Sequence, residues 1–352
     1  MSDNDTFDDV YKVVFTLVNV SKEVREDSEA RRLVELVKNE ILKEPSPAQK
    51  FLAGVQPSTE DVEEIQKQVL KYLRVKDKYT GLGSMLLKSQ AFHLIHAQPS
   101  TTFQDYTIVD LPRTKYRKPY IPILDFDGSK SSMRQEDLFP LSISHQFPFV
   151  GSAMHKARNC SSTDSKPKIG LDIVVFDDYN RKLYSSMGEF LEAFRESFTK
   201  REWTLISNCE ESFRLNEFYC RWAIKEAYTK ALGLGLGFEF NTFDLQLSAL
   251  GDSDVDFRLW PSLSANPGGS YLRGSISFLR TSKPPEIWDF FFLPLLDDWK
   301  DQSDSNVVTK GCACVCIGPL PSPLPISPVQ VEVKRIGLSD LISWHHQTNS
   351  IL

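Results

Sequence analysis

The feature that most constrains the fold is a long amphipathic segment, residues 213–232, whose apolar positions recur with helical spacing. The glycines that follow it, Gly233, Gly235 and Gly237, predict that the helix ends there. Their spacing is similar to that of a phosphate-binding loop, but such loops precede a helix and these glycines follow one. Segments typical of strands flank the helix at 169–176 and 243–247. Helix and strand patterns therefore alternate through this half of the chain.

The first half shows the same mixture, and a small, polar segment at 155–167 separates the two halves. The predicted strands are mainly antiparallel, and one of them covers 256–260. Helices combined with antiparallel strands are typical of the α+β class. We therefore expect two similar α+β subdomains, one over residues 10–165 and one over 168–352.

Composition excludes several classes of protein. The chain has 352 residues, 41% of them hydrophobic, which is enough for one large or two medium domains. Its net charge of −6 gives no basic footprint for nucleic acid. The acidic N-terminus does not resemble a signal peptide, and no apolar run approaches the roughly 18–20 residues of a membrane span. Six cysteines in a chain of this length do not indicate a disulfide scaffold, so we expect a cytoplasmic protein without a membrane partner.

Asp172 is unusual because it lies inside an apolar strand pattern, two residues after Gly170. A buried carboxylate is costly unless it is paired or binds a metal. One interpretation is therefore a metal ligand. The other is an aspartate at a strand end that accepts backbone hydrogen bonds.

Three residues of the long helix, Trp222, Glu226 and Lys230, are spaced i, i+4, i+8 and share one face. Trp222 can anchor in the core while the two charged residues point into a cleft. The alternative is a surface salt bridge between Glu226 and Lys230, which would contribute only about 0.2–0.5 kcal/mol.

Two further groups of residues allow more than one interpretation. His145 ends an apolar alternation and follows Ser144, so it is either a structural histidine or a donor to a phosphate oxygen. Cys312, Cys314 and Cys316 alternate along a predicted strand. A zinc site would need a fourth ligand from elsewhere, and we favour small core residues.

In combination these segments resemble a known family. The order Ser-His, Gly-x-Asp and Trp-x-x-Lys-Glu-Ala-Tyr-x-Lys is similar to that of the Sfp-type phosphopantetheinyl transferases. The Ser144-His145-Gln146 form is closest to the eukaryotic branch that activates aminoadipate-semialdehyde dehydrogenase or aminoadipate reductase. An upstream Arg-Thr-x-x-x-Lys-Pro segment supports this branch, and it begins at Arg113 and contains Lys118. Lys76 lies where the family carries a basic residue that holds the 3′-phosphate of coenzyme A.

The resemblance implies the activity of a holo-[acyl-carrier-protein] synthase. The enzyme moves 4'-phosphopantetheine from coenzyme A, its substrate, to a serine of an apo carrier domain and releases 3′,5′-ADP. It implies a monomer whose halves are related by a pseudo-twofold axis, with coenzyme A in the cleft between them. Aminoadipate reductase of lysine biosynthesis is the expected carrier, and fatty acid synthase or other carriers are alternatives.

The chemistry requires Mg²⁺ on the pyrophosphate, because charge develops on its oxygens. Asp172 and Glu226 are the expected metal ligands, and Glu226, directly or through a water, is the expected base. Lys230 is expected to neutralise the pyrophosphate and His145 to donate to a phosphate. The nucleotide end is expected to contact Lys76, Arg113, Lys118 and Ser144.

The sequence departs from many bacterial members at Val174, where they carry a second acid. The eukaryotic branch also lacks that acid, so we expect a metal site with two carboxylates. An inactive relative that binds carriers or coenzyme A as an adaptor is the main alternative. An ordinary coenzyme A-dependent acyltransferase is disfavoured, because the chain has no His-x-x-x-Asp or similar site.

Overall fold

The computed structural model describes residues 12–22, 24, 27–41, 69–96, 111, 113–121, 141–155, 167–176, 182–235, 238–249, 258–264, 266–296, 309–320 and 329–347. The chain forms two compact units. The first comprises Met1–Lys166 and Gln330–Leu352, and the second comprises Pro167–Val329. Each unit combines helices with a β-sheet of its own, as the sequence predicts.

The first unit contains a four-stranded sheet of β1 (Val13–Asn19), β2 (Leu141–Gln146), β3 (Phe149–His155) and β9 (Val331–Gly337), in the order β2-β3-β1-β9. Its helices are α1 (Asp27–Ile41), α2 (Val75–His96) and α7 (Leu338–Gln347). The core lies where α2 packs on the sheet, with Leu82 and Leu86 beside Val18 and Val150. This packing holds the β2–β3 hairpin, which carries His145.

The predicted range of the second subdomain, 168–352, differs from the structure at its C-terminal end. Strand β9 pairs in parallel with β1, with Val13 opposite Val331 and Asn19 opposite Gly337. The leucines Leu338 and Leu341 of α7 are fully buried in the core of the first unit. Strand β1 gains a hydrogen-bonded neighbour that the preceding chain does not supply, so residues 330–347 lie in the first unit.

The second unit is built on a five-stranded antiparallel sheet in the order β4-β8-β7-β6-β5. Its strands are β4 (Lys168–Val175), β5 (Phe243–Ala249), β6 (Ser270–Phe278), β7 (Glu286–Leu296) and β8 (Thr309–Gly318). Its helices are α3 (Met187–Ala193), α4 (Lys200–Ser207), α5 (Glu211–Leu232) and α6 (Leu259–Ser264), with 3-10 turns at Arg195–Ser197 and Phe240–Thr242.

Helix α5 is the long helix that the sequence predicts, and its glycine stop is confirmed. Gly233 has φ 69° and ψ 26°, the left-handed conformation, and its N–H donates to the carbonyl oxygens of Thr229 and Lys230. The buried face of α5, with Ala223, Ile224 and Tyr228, packs in the main core of the unit. The helix is therefore fixed against the sheet along its length.

The strand predicted over 256–260 is wrong at 259–260, because residues from Leu259 onward form helix α6, and residues 256–257 lie outside the described ranges. The backbone N–H of Trp260 donates to Oε2 of the buried Glu217 at 2.9 Å. A short apolar run does not distinguish helix from strand by periodicity, and a tertiary contact decided it here. None of the helices in the described ranges combines the length and apolarity needed to cross a membrane.

Candidate active site

The site of the second unit depends on a close approach between β4 and α5 at Gly170. A Cβ built on Gly170 would lie 1.7 Å from the backbone oxygen of Ala227 and 2.7 Å from the backbone nitrogen of Ala231. No side chain larger than hydrogen fits between strand and helix at this point. The glycine of the Gly-x-Asp motif therefore has a structural role, because it allows the backbones of β4 and α5 to approach each other.

Asp172 lies two residues beyond Gly170, so both project from the same face of the strand, towards α5. Its Oδ1 accepts a hydrogen bond from Nζ of Lys230 at 2.6 Å. The Asp172 side chain is 8% exposed and that of Lys230 is 33% exposed, so the pair lies at the edge of the buried interface. Asp172 is thus a buried carboxylate with a cationic partner, and it lies within β4, not at the end of the strand.

Glu226 lies one helical turn before Lys230 and is half-buried. Burial raises the pKa of its carboxyl, the negative charge of Asp172 raises it further, and the positive charge of Lys230 opposes both. Lys230 also bonds to the buried Asp172 of β4, so its charge interactions extend beyond Glu226 and its own helix. Asp172, Glu226 and Lys230 therefore form one electrostatically coupled group.

The position of the missing third acid is apolar and buried. Val174 is 5% exposed, lies opposite Cys312 of β8 and belongs to the core under α5. Three or more metal-binding side chains do not converge anywhere in the described ranges. The carboxylates of Asp172 and Glu226 remain as the two groups in this site that could hold a divalent cation. Such an ion takes its other ligands from substrate phosphates and water.

The cysteines belong to the core. Cys312, Cys314 and Cys316 lie on β8 and are at most 2% exposed, and the five cysteines within the described ranges are buried and form no disulfide with one another. Burial raises the pKa of the Cys314 thiol well above its ordinary value. The interpretation of these cysteines as small core residues is confirmed.

Trp222 anchors the start of the motif in an aromatic cluster, as predicted. Its ring centroid lies 5.5 Å from that of Phe194, 5.2 Å from that of Phe240 and 6.1 Å from that of Phe218. The rings of Phe194 and Phe240 meet it edge-on, a favourable arrangement for aromatic pairs. The cluster fixes the face of α5 that presents Glu226 and Lys230.

Sequence reasoning missed the role of Lys225, the other lysine of the motif. Its side chain is 2% exposed, and Nζ lies 2.8 Å from Oε2 of Glu202. Nζ also donates to the carbonyl oxygens of Phe240 and Phe243 at 2.7 and 2.9 Å. Burial lowers the pKa of Lys225, and the carboxylate of Glu202 opposes the shift. Lys225 is flanked by apolar residues on the buried face of the helix, and this position could have predicted its buried role from the sequence.

The first unit brings together a second set of predicted residues. Ser144 is buried, whereas the neighbouring His145 is exposed at the end of β2. Nδ1 of His145 lies 3.2 Å from Oγ of Ser84, a buried residue of α2 that sequence reasoning did not single out. At the start of the same helix, Nζ of Lys76 lies 5.4 Å from the ring centroid of Phe147.

The basic segment around Arg113 and Lys118 forms a tight turn. Arg113 pairs with Pro119 in an isolated bridge, and the N–H of Thr114 donates to the carbonyl oxygen of Lys118 at 2.9 Å. Arg117 has φ 68°, an uncommon conformation for a residue other than glycine. The side chains of Arg113 and Arg117 are exposed, and that of Lys118 is partly buried. The turn therefore holds the basic side chains of Arg113, Arg117 and Lys118 close together in sequence on one short loop.

Comparison with known proteins matches residues 168–265 to the 4'-phosphopantetheinyl transferase superfamily. The mouse L-aminoadipate-semialdehyde dehydrogenase-phosphopantetheinyl transferase is 28% identical over 209 residues, which is 58% of each chain. Its human counterpart is 30% identical over 143 residues, 40% of each chain. The 4'-phosphopantetheinyl transferase NpgA of Emericella nidulans is 29% identical over 199 residues, 49% of this chain and 55% of the relative. The matches thus span between 40% and 58% of the length of these relatives.

Proposed function

We propose that this chain, whose residues 168–265 match the 4'-phosphopantetheinyl transferase superfamily, transfers 4'-phosphopantetheine from coenzyme A to a serine of an apo carrier domain. The observation that carries the proposal is the coupled group of Asp172, Glu226 and Lys230 within the matched region. The product besides the holo carrier is 3′,5′-ADP.

The proposed reaction is attack of the serine oxygen on the β-phosphorus of the pyrophosphate. The new P–O bond forms as the bond to 3′,5′-ADP breaks, and the serine proton passes to Glu226, directly or through a water. A carboxylate is an efficient base when its pKa approaches the working pH. The raised pKa of Glu226 supports this role. Lys230 is the cation available to balance charge on the pyrophosphate oxygens.

A divalent cation suits the donor set of this site. Glu226 is half-buried beside the carboxylate of Asp172, and both burial and that neighbouring charge disfavour its ionised form. A cation held by these two oxygen donors would relieve both effects, and Mg²⁺ commonly takes one or two carboxylates together with substrate phosphates. When bound, Mg²⁺ would polarise the pyrophosphate and neutralise charge on it.

The nucleotide end of coenzyme A is proposed to contact the first unit. Lys76, Arg113 and Lys118 supply cations for the 3′-phosphate and pyrophosphate, and Ser144 and His145 supply hydrogen-bond donors. Exposure of Arg113 and His145 supports their availability to a substrate. The enzyme is proposed to act as a monomer in the cytoplasm.

The relatives in mouse and human are named for L-aminoadipate-semialdehyde dehydrogenase. We extend that class of carrier to this chain and propose aminoadipate reductase of lysine biosynthesis as the first candidate. Fatty acid synthase and other carrier domains are further candidates within the same proposal.

The test is mass spectrometry of a panel of apo carrier domains incubated with the protein, coenzyme A and Mg²⁺. We expect a gain of one phosphopantetheine on at least one carrier, and none on the same carrier with its serine replaced by alanine. Chelation of Mg²⁺ should abolish the gain. If folded protein binds coenzyme A but modifies no carrier, the adaptor function replaces the transferase function.

A further inference from the structure

Helix α2 packs closely on the β2–β3 hairpin at Gly83, and a polar contact lies beside that residue. A Cβ built on Gly83 would lie 3.4 Å from Cγ2 of Val150, so the helix packs closely on β3 there. Val150 is the cross-strand partner of His145, and both therefore lie on the same face of the sheet. The next helix residue, Ser84, places Oγ 3.2 Å from Nδ1 of His145.

The contact joins a buried group to an exposed one. Ser84 is 6% exposed and follows Gly83, where α2 packs closely on the hairpin. The His145 side chain is exposed at the end of its strand. An exposed imidazole changes rotamer readily, whereas a hydrogen bond to a buried hydroxyl favours one ring orientation.

We propose that Ser84 is a positioning residue for His145, holding the imidazole through Nδ1 so that Nε2 faces an anionic substrate. If Ser84 donates to Nδ1, the proton of the neutral ring lies on Nε2, which can then donate to a phosphate oxygen. The ligand class is a phosphate ester, and for this chain that is coenzyme A, so the inference rests on the proposed function in its choice of ligand.

The first experiment tests the contact in the free protein. Long-range ¹H–¹⁵N spectra at a pH of about 8, above the ordinary titration range of histidine, report the hydrogen-bonding state of each ring nitrogen. We expect the Nδ1 resonance of His145 to shift towards the unbonded imidazole value in Ser84→Ala. The matched control is Ser89→Ala, which removes a buried hydroxyl from another side of the same helix and should leave that resonance unchanged. An unchanged Nδ1 resonance in Ser84→Ala would overturn the proposal.

The second experiment tests whether Ser84 acts through His145. Coenzyme A binding is measured by calorimetry for the wild type, Ser84→Ala, His145→Ala and the double variant. We expect Ser84→Ala to weaken binding by about 3- to 10-fold, the value of one hydrogen bond. In the His145→Ala background the same change should alter binding by less than about 2-fold, because coupled residues are not additive. Equal losses in both backgrounds would show a merely structural role and reject the proposal.

These experiments separate the inference from the proposed function. Failure of the wild type to modify any carrier, with Ser84→Ala still weakening coenzyme A binding through His145, would remove the transferase and leave the positioning role. If the wild type modifies a carrier but Ser84→Ala changes neither the His145 resonance nor coenzyme A binding, the transferase function stands and the positioning role of Ser84 is rejected. If the wild type does not bind coenzyme A, the spectra alone decide on the Ser84 contact.

Discussion

At the scale of single residues, Gly170 sets the distance between β4 and α5 and therefore between Asp172 and Lys230. A methyl group there would overlap the backbone oxygen of Ala227. This oxygen belongs to the backbone of α5, so it can move only if the helix moves. The Gly-x-Asp motif thus combines a residue required for packing with a residue proposed for chemistry.

We expect Gly170→Ala to lower the free energy of unfolding by about 1–3 kcal/mol, because the added methyl group overpacks a close contact. Urea denaturation followed by circular dichroism measures the change. Gly188→Ala is the matched control, since Gly188 is at an exposed position of α3 and the nearest atom to its added Cβ is Ser186 Oγ at 3.8 Å. That variant should be neutral or more stable by up to about 1 kcal/mol. Equal stability of the two variants would contradict the role given to Gly170.

Glu226→Gln should keep the fold and reduce carrier modification by at least about 100-fold, because the proposed base is lost. Initial rates of carrier modification measure this loss. Glu211→Gln, an exposed change at the start of the same helix, should retain the wild-type rate. Full activity of Glu226→Gln would remove Glu226 from the mechanism.

The raised pKa of Glu226 also gives a dependence of stability on pH. Between its ordinary pKa of 4.5 and the raised folded-state value, the folded protein binds a proton that the unfolded chain does not. The wild type should therefore gain stability relative to Glu226→Gln as the pH falls through that window, and lose it as the pH rises. Urea denaturation of both proteins between pH 4 and about 8 measures the difference. A difference that does not vary with pH would contradict the shift.

At the scale of elements, α5 has two functional faces. Lys225 and Glu202 join its buried side to α4, and Glu202 also caps α4 by accepting from the N–H of Thr199. Glu226 and Lys230 lie on the partly buried side. The ion pair fixes the rotation of the helix, and that rotation determines where the two site residues lie.

Lys225→Met should destabilise the protein by about 3–5 kcal/mol, because it leaves the carboxylate of Glu202 buried without its cation. The double variant Lys225→Met with Glu202→Gln should be less destabilised than the sum of its single changes, since the unpaired charge is also removed. Lys200→Met, at an exposed position of α4, should change stability by no more than about 0.5 kcal/mol. Chemical denaturation compares the wild type with the four variants Lys225→Met, Glu202→Gln, their double variant and Lys200→Met. If Lys225→Met does not lower the free energy of unfolding, the ion pair does not hold α5 in place.

At the scale of the whole molecule, the chain returns to its first unit after completing the second. Strand β9 covers the edge of β1, and α7 covers part of the core of that unit. An uncovered strand edge and exposed apolar side chains destabilise a sheet.

Truncation after Val329 should therefore loosen the first unit and leave the sheet of the second unit formed. Hydrogen exchange should show lost protection in β1 and retained protection in β8. Truncation after Gln347, which keeps β9 and α7 intact, is the control and should leave both strands protected. Equal protection of β1 in both truncated proteins would contradict this account.

The sequence by itself determined the class of fold and the long helix with its glycine stop. These two features depend on periodicity and on left-handed glycine geometry, which are local properties of the chain. That Asp172, Glu226 and Lys230 act together was predicted from the resemblance of the motifs to a family. The helical identity of residues 259–264 was not available from such signals, because an apolar run of that length suits a strand equally well.

Only the tertiary structure decided which contacts the site residues make. It pairs Lys230 with Asp172, buries Lys225 against Glu202, brings Ser84 to His145 and returns β9 to β1. Each of these contacts joins residues that are distant in sequence. The energy of such a contact depends on burial and on distances of a few ångströms, and neither is encoded in the spacing of residues along one segment.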